Sequence, residues 1–155
     1  MRSLKDLAFL LPLLWLAACS VPIALPQKTP LASEESDTAS KRFSPPSGSA
    51  NVYVARTSIV GSRYRFGILL DGKPAGLVAL NTHLLLEVAP GTHRLSATSP
   101  ENEDAVLLEV KAGENYFFEL ASRTGTTYAH AELRRMPEGD GKAAVLRTRR
   151  AAPWD

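Results

Sequence analysis

The chain has 155 residues, of which 22% are charged and 45% hydrophobic, and its formal net charge is +2 at pH 7. That length sets a prior of one domain, the balance argues against global disorder, and the charge is too small to point to nucleic acid as a partner. The single cysteine excludes an intrachain disulfide and a cysteine-based zinc cluster.

Arg2 and Lys5 make the start basic, with Asp6 as a partial offset, and residues 7–18 form a continuous apolar run. About a dozen residues is short of the roughly 20 that span a bilayer, and fits the hydrophobic region of a secretory signal peptide. The run ends Leu16-Ala17-Ala18-Cys19, which resembles a bacterial lipobox. Small residues there leave room for the peptidase at the scissile bond. The resemblance implies a signal peptide over residues 1–18, cleavage between Ala18 and Cys19, and lipidation of Cys19 by palmitate-type chains as the mature N-terminus. An ordinary signal peptide with a chance cysteine is the alternative. Ser20 is not the aspartate that retains lipoproteins in the inner membrane, which implies the outer membrane, facing the periplasm.

Residues 19–50 follow as the lipidated N-terminus and a Pro/Ser-rich linker. Pro22, Pro26, Pro30, Pro45 and Pro46 are interspersed with Ser, Thr, Glu and Asp, and neither a helical nor a strand period survives. The reading is a disordered tether reaching roughly 30 Å. Pro45-Pro46 as a docking ligand is the alternative, though its flanks carry no motif.

Strand signals then begin. Residues 51–56 (NVYVAR) place Val52 and Val54 on one face, and 57–63 reads as a loop with Gly61. In 64–70, Tyr64, Phe66, Ile68 and Leu70 share a side. Asp71-Gly72-Lys73-Pro74 is a turn, followed by a short apolar strand over 75–81. In 83–88, Leu84, Leu86 and Val88 oppose His83, Leu85 and Glu87. Pro90-Gly91 is the next turn, and 92–98 alternates again. Residues 105–111 put Val106, Leu108 and Val110 inward, and 115–121 follows with Tyr116, Phe118 and Leu120 in phase. The last strand is 127–133, with Ala129, Ala131 and Leu133. Seven to eight short strands spaced by turns predict an all-β fold, a small antiparallel β-sandwich over residues 51–135. Residues 136–155 read as a basic tail or a short helix over 142–150, with Val145 or Leu146 packing back.

A family resemblance rests on an ordered set of pieces: Val52-Tyr53 with Arg56, Asp71-Gly72, Pro90-Gly91-Thr92-His93, and Ala112-Gly113 with Tyr116. Together they resemble the bacterial family known as domain of unknown function 2846, over roughly residues 51–135. PEGA-type surface modules share the second and third pieces and are the competing name. The resemblance implies a small β-sandwich, often on a lipoprotein, and no activity.

Searching the residues for chemistry gives little. His83, His93 and His130 are the only histidines, and strand phase points them to different faces, so no metal site is predicted. His93 is expected to bond backbone beside the Pro90-Gly91 turn. Gly139-Asp140-Gly141-Lys142-Ala143 has the wrong glycine spacing for a phosphate loop, and Ala143 replaces its Ser/Thr. Glu101, Glu103 and Asp104 form an acidic loop without calcium-loop spacing. Arg134, Arg135, Lys142, Arg147, Arg149 and Arg150 make the C-terminal end basic. It is either a solvated end or, through Arg147, Arg149 and Arg150, a contact for an anionic surface. No catalytic residue, cofactor or metal is expected. The leading reading is a non-enzymatic envelope lipoprotein, anchored to the membrane through Cys19, whose β-sandwich holds a protein or cell-wall partner through a sheet face or edge strand. The alternative is a small apolar-ligand carrier with a cavity in the β domain.

Overall fold

The structure is a computed structural model and describes residues 28–154. The expected signal peptide, Ala18 and Cys19 lie outside the described residues. The elements are α1 (Glu34–Ser40), β1 (Ala50–Arg56), β2 (Phe66–Leu70), β3 (Lys73–Val78), β4 (Thr82–Val88) and β5 (Gly91–Thr98). They continue with β6 (Glu103–Val110), β7 (Asn115–Arg123), β8 (His130–Met136), α2 (Glu138–Leu146) and β9 (Arg149–Arg150). Among the described residues one sheet runs β8-β7-β1-β4-β9 and the other β3-β2-β5-β6. The β-sandwich expected from strand spacing is therefore present.

The alternation read from the sequence builds the core between the sheets. Val52, Val54, Phe66, Ile68, Leu84 and Leu86 are buried there. So are Leu95, Leu108, Val110, Tyr116, Phe118 and Leu120. The β2–β3 hairpin turns through Asp71 and Gly72, both at positive φ (52° and 75°), as a two-residue turn requires. Pro74 sits on the β3 edge, where its missing N–H costs no ladder bond.

The sheets are not purely antiparallel, as the sequence reading had them. β1 pairs with β7 in parallel, Val52 opposite Tyr116, and β4 pairs with β9 in parallel, Thr82 opposite Arg149. The reason lies in the chain path. β2–β3, β5–β6 and β7–β8 are hairpins, but the turns before β4, β5 and β7 carry the chain from one sheet to the other. A Pro-Gly turn marks a reversal without saying which sheet the next strand joins.

Two further expectations are corrected. The stretch read as a disordered tether contains α1, with Thr29, Asp37 and Ser40 buried. Ser33 caps α1 by accepting from the Ser36 N–H at 3.2 Å. Secondly, the core does not end at residue 135. The outer face of the larger sheet carries a second cluster, Tyr53, Ala55, Leu85 and Phe117, covered by Ala144 and Val145 of α2 and by Phe43. Tyr53 stacks on Phe117 at 5.0 Å between ring centroids, and Phe43 meets both rings edge-on or tilted. Of the two tail residues expected to pack back, Val145 is buried and Leu146 is exposed. The helix also begins earlier than read and includes Gly139 and Gly141. Gly141 lets it approach the sheet, because a Cβ there would lie 2.2 Å from Phe117 Cγ.

The terminal segments close one side of the sandwich. β9 covers the β4 edge, and the chain then crosses to the other sheet, where the Trp154 N–H donates to Ala75 O at 3.1 Å. Residues 30–32 pair back onto 150–152, with the Ala32 N–H on Arg150 O and the Ala152 N–H on Pro30 O. On the opposite side, the β5–β6 turn and the start of β6 cap the β8 edge through side chains. Asn102 Oδ1 accepts from the Ala131 N–H and Asp104 Oδ2 from the Leu133 N–H.

Candidate functional site

β1 and β7 are parallel neighbours, so both end at one end of the larger sheet, at Arg56 and Arg123. The loops that follow, residues 57–65 and 124–129, emerge side by side. Arg56 shapes the first. Its guanidinium is fully buried and donates to Tyr64 O, Val60 O and Gly61 O, at 2.5, 3.0 and 2.6 Å. It lies 4.7 Å from the Phe66 ring centroid. No carboxylate pairs with it among the described residues, and its Nε is buried without a partner. Burial lowers its pKa to about 10, so it stays charged at neutral pH. Ser122 Oγ also donates to Val60 O.

Glu101, from the β5–β6 turn, holds the second loop. Its carboxylate accepts from the N–H groups of Thr126, Thr127 and Tyr128 at 2.6–3.1 Å and meets His130 Nε2 at 3.1 Å. Those N–H bonds, Thr127's foremost, keep this carboxyl below the usual range. Gly125 makes room for the grip, since a Cβ there would lie 2.4 Å from Glu101 Oε2. The acidic loop read from the sequence is thus a set of structural ties: Glu101 here, Asp104 on β8, and Glu103 on Arg94 at 2.6 Å.

Two clefts flank the 57–65 loop. One, of about 290 Å³, lies between the two loops and is walled by Val60, Gly61, Tyr64, Arg123, Tyr128 and Ala129, among others. Tyr64 and Tyr128 meet edge to face at 6.0 Å. Apolar groups of this wall are exposed, Val60 at 50% and Tyr128 at 42%, and Ile59 next to Val60 in the chain at 77%. The other cleft, of about 280 Å³, lies between Ser62, the 79–82 turn and the N-terminal residues Lys28, Thr29 and Leu31, with Arg149 at its margin.

The remaining polar cluster is sealed. His83, on the outer face of β4, is fully buried between α1 and the end of α2. Its Nε2 meets Ser40 Oγ and its Nδ1 meets Thr148 Oγ1, both at 3.0 Å. Tyr53 donates its hydroxyl to Ser40 O at 2.8 Å. Burial drops the His83 pKa to about 4 and raises that of Tyr53 to about 12. The Ser40–His83 pair has the residue types of a nucleophile and base, but both are buried, so the cluster is a structural hub.

The other residues singled out from the sequence are dispersed. His93 lies in the smaller sheet, bonding Asp71 Oδ2 at 2.7 Å and Ala89 O at 2.9 Å, so the expected backbone contact is present with a carboxylate added. Among the described residues no group of three His, Cys, Asp or Glu converges as a metal site. The Gly139–Ala143 run is the start of α2. The basic end is built into the fold rather than forming a loose tail. The Arg150 N–H donates to Asp37 Oδ1 at 2.7 Å, and Arg149 Nε lies 3.5 Å from Asp37 Oδ2. Arg147 is exposed at the α2 C-cap. Ser40 and Thr148 escaped the sequence reading, and no role was read for Arg56. Arg56 closes the Val52-Tyr53 piece of the family pattern, the one signal that marked it.

The chain is 29% identical over 133 residues to an uncharacterized protein of Haemophilus influenzae, covering 85% of this chain and 75% of that protein. Residues 46–132, more than half of the chain, match the model of a family described as protein of unknown function (DUF2846). That span holds β1 to β7 and the first residues of β8, with Arg56, Glu101 and both loops of the cleft. The chain therefore belongs to the DUF2846 family.

Proposed function

We propose that this protein is a lipid-anchored envelope lipoprotein whose β-sandwich is a non-catalytic binding module, working through its loop end. The observation that carries the binding reading is the cleft walled by the exposed Val60 and Tyr128, with the exposed Ile59 next to Val60 in the chain. Exposed apolar groups concentrated in one place mark interaction surfaces. Of the sheet face or edge strand expected from the sequence to hold the partner, the edges of β4, β3 and β8 are engaged by β9, residues 152–154 and the side chains of Asn102 and Asp104. Strand addition there would have to displace these bonds.

Anchoring rests on Leu16-Ala17-Ala18-Cys19, and Ser20 after it favours the outer membrane facing the periplasm. Each buried methylene of an acyl chain adds about 0.8 kcal/mol of membrane affinity, so several chains anchor stably. Cys19→Ser is expected to release the protein to the soluble fraction or stall it as uncleaved precursor. Unchanged fractionation and mature mass in that variant would refute the anchor. A second reading, a carrier of a small apolar ligand, is favoured by the cleft beside Leu31, Ala79 and Leu80. Saturable binding of a fatty-acid probe, lost in Leu80→Asp, would support it over the module reading.

A further inference from the structure

We propose that the cleft between residues 57–65 and 124–129 binds an acidic glycan, an N-acetylated sugar strand bearing carboxylates. This rests on the reading of the domain as a binding module and names the chemistry of its partner. Among the residues that line the cleft the only charged side chain is Arg123. The loops 57–65 and 123–129 hold no Asp or Glu, and they also carry Arg63, while Arg65 bonds Lys28 O at 3.4 Å, beside the other cleft. The carboxylates that come closest are already engaged, Glu101 by three N–H groups and Glu132 by Arg123 and Arg134. Behind the wall stands the Arg56 guanidinium, its N–H groups on the carbonyls of Val60, Gly61 and Tyr64. That cation has no counter-ion among the described residues. Held in a low-dielectric interior, it projects positive potential with little screening.

The surface that meets this potential is aromatic and hydroxylated. Tyr64 and Tyr128 present ring faces and edges, and Thr124, Thr126 and Thr127 line the same cleft. A sugar ring offers an apolar C–H face to an aromatic ring and hydroxyls to threonines, and its carboxylate is suited to the Nη groups of Arg123, whose Nε faces Glu132. An acidic peptide would answer the charge but would want backbone partners. The Thr126, Thr127 and Tyr128 N–H groups are already taken by Glu101.

The test uses the full chain in detergent and a glycan hexasaccharide of alternating N-acetylglucosamine and N-acetylmuramic acid with free carboxylates. Titration calorimetry is expected to show saturable binding that weakens severalfold as salt rises from about 50 to 300 mM. Tyr128→Ala and Arg123→Gln should each lose about tenfold in affinity, which corresponds to one hot-spot contact. Both side chains are exposed, at 42% for Tyr128 overall and 66% for the Arg123 side chain, so both variants should keep the wild-type melting temperature. Uncharged chitohexaose should bind at least about tenfold more weakly. No binding, equal binding of chitohexaose, tighter binding of a poly-glutamate peptide, or wild-type affinity in both variants would overturn the assignment. A photo-crosslinking residue at Ile59 in intact cells separates the two levels. Protein crosslinks there without glycan binding overturn the glycan and leave the loop-end module standing. Neither crosslinks nor glycan binding overturns both.

Discussion

His83 is a neutral imidazole held between two hydroxyls, and a neutral ring has one donor and one acceptor nitrogen. Ser40 Oγ also lies 2.6 Å from Asp37 O and Thr148 Oγ1 3.0 Å from Ala144 O, so the ring's acceptor nitrogen competes with a backbone carbonyl for one hydroxyl proton while the other hydroxyl accepts from the ring. Burial is the main cause of the depressed pKa, with Lys41 and Arg150 adding to it and Asp37 opposing. In the unfolded chain the group takes a proton below its ordinary 6.5, whereas in the native state it resists until about 4. Native stability should fall as pH drops through that window, by about 3 kcal/mol at most. His93, whose pKa is raised chiefly by its bond to Asp71, works with the opposite sign, stabilising at low pH and losing that effect as pH rises through its folded pKa. Denaturant unfolding of wild type and His83→Asn between pH 4 and 7 should show the steeper acid loss only in wild type. Parallel curves would place the titration elsewhere. Glycines in α2 give a paired expectation. Gly141→Ala should destabilise by about 1–3 kcal/mol, because its Cβ would meet the Phe117 ring. Gly139→Ala, with nothing within 4 Å, should stabilise by up to about 1 kcal/mol. The same sign for both in thermal melts would refute the close approach. Strand phase had placed His83 opposite Leu84 and Leu86. Its partners were hidden, because Ser40 lies 43 residues before it and Thr148 65 after.

The outer face of the larger sheet shows what the terminal elements do. β1 is buried on both faces, against the other sheet and against α1, α2 and Phe43. Asp37 joins α1 to β9. Burial alone would raise its pKa, but bonds from Lys41 and from the Arg150 N–H outweigh that and lower it. A fragment of residues 51–135 would lose these elements, leaving Tyr53, Leu85 and Phe117 facing water and His83 without either hydroxyl. Each large side chain so exposed forfeits about 2 kcal/mol, a substantial share of the roughly 5–15 kcal/mol that holds a domain folded. The fragment is expected to lose cooperative melting and to bind a hydrophobic dye, while residues 28–155 melt cooperatively. A fragment melting within a few degrees of the longer chain would show that the helices are ornaments. α1 was invisible as a period because the residues it buries, Asp37 and Ser40, are polar. Its hydrogen bonds reach Tyr53, His83 and Arg150, 13 to 113 residues away, which no local pattern encodes.

In the molecule as a whole, two flanks of the sandwich and the outer face of the larger sheet are engaged. The termini cross from sheet to sheet along one side, Asn102 and Asp104 close the other, and α1 and α2 cover a face. At the loop end Arg56 and Glu101 each order a loop from within. The all-β class, the strand positions within a few residues, the inward phase of the core and the Asp71-Gly72 turn follow from local residue order, because strand alternation and turn stereochemistry act over a few residues. The parallel neighbours β1 and β7, the helical lid over Tyr53 and Phe117, the binding of the basic end to Asp37, and the meeting of Tyr64 with Tyr128 were decided in three dimensions. Each joins residues far apart in the chain. Which distant segments meet depends on how the sheets stack and which edges remain to be covered, and that is set only once the whole chain has packed.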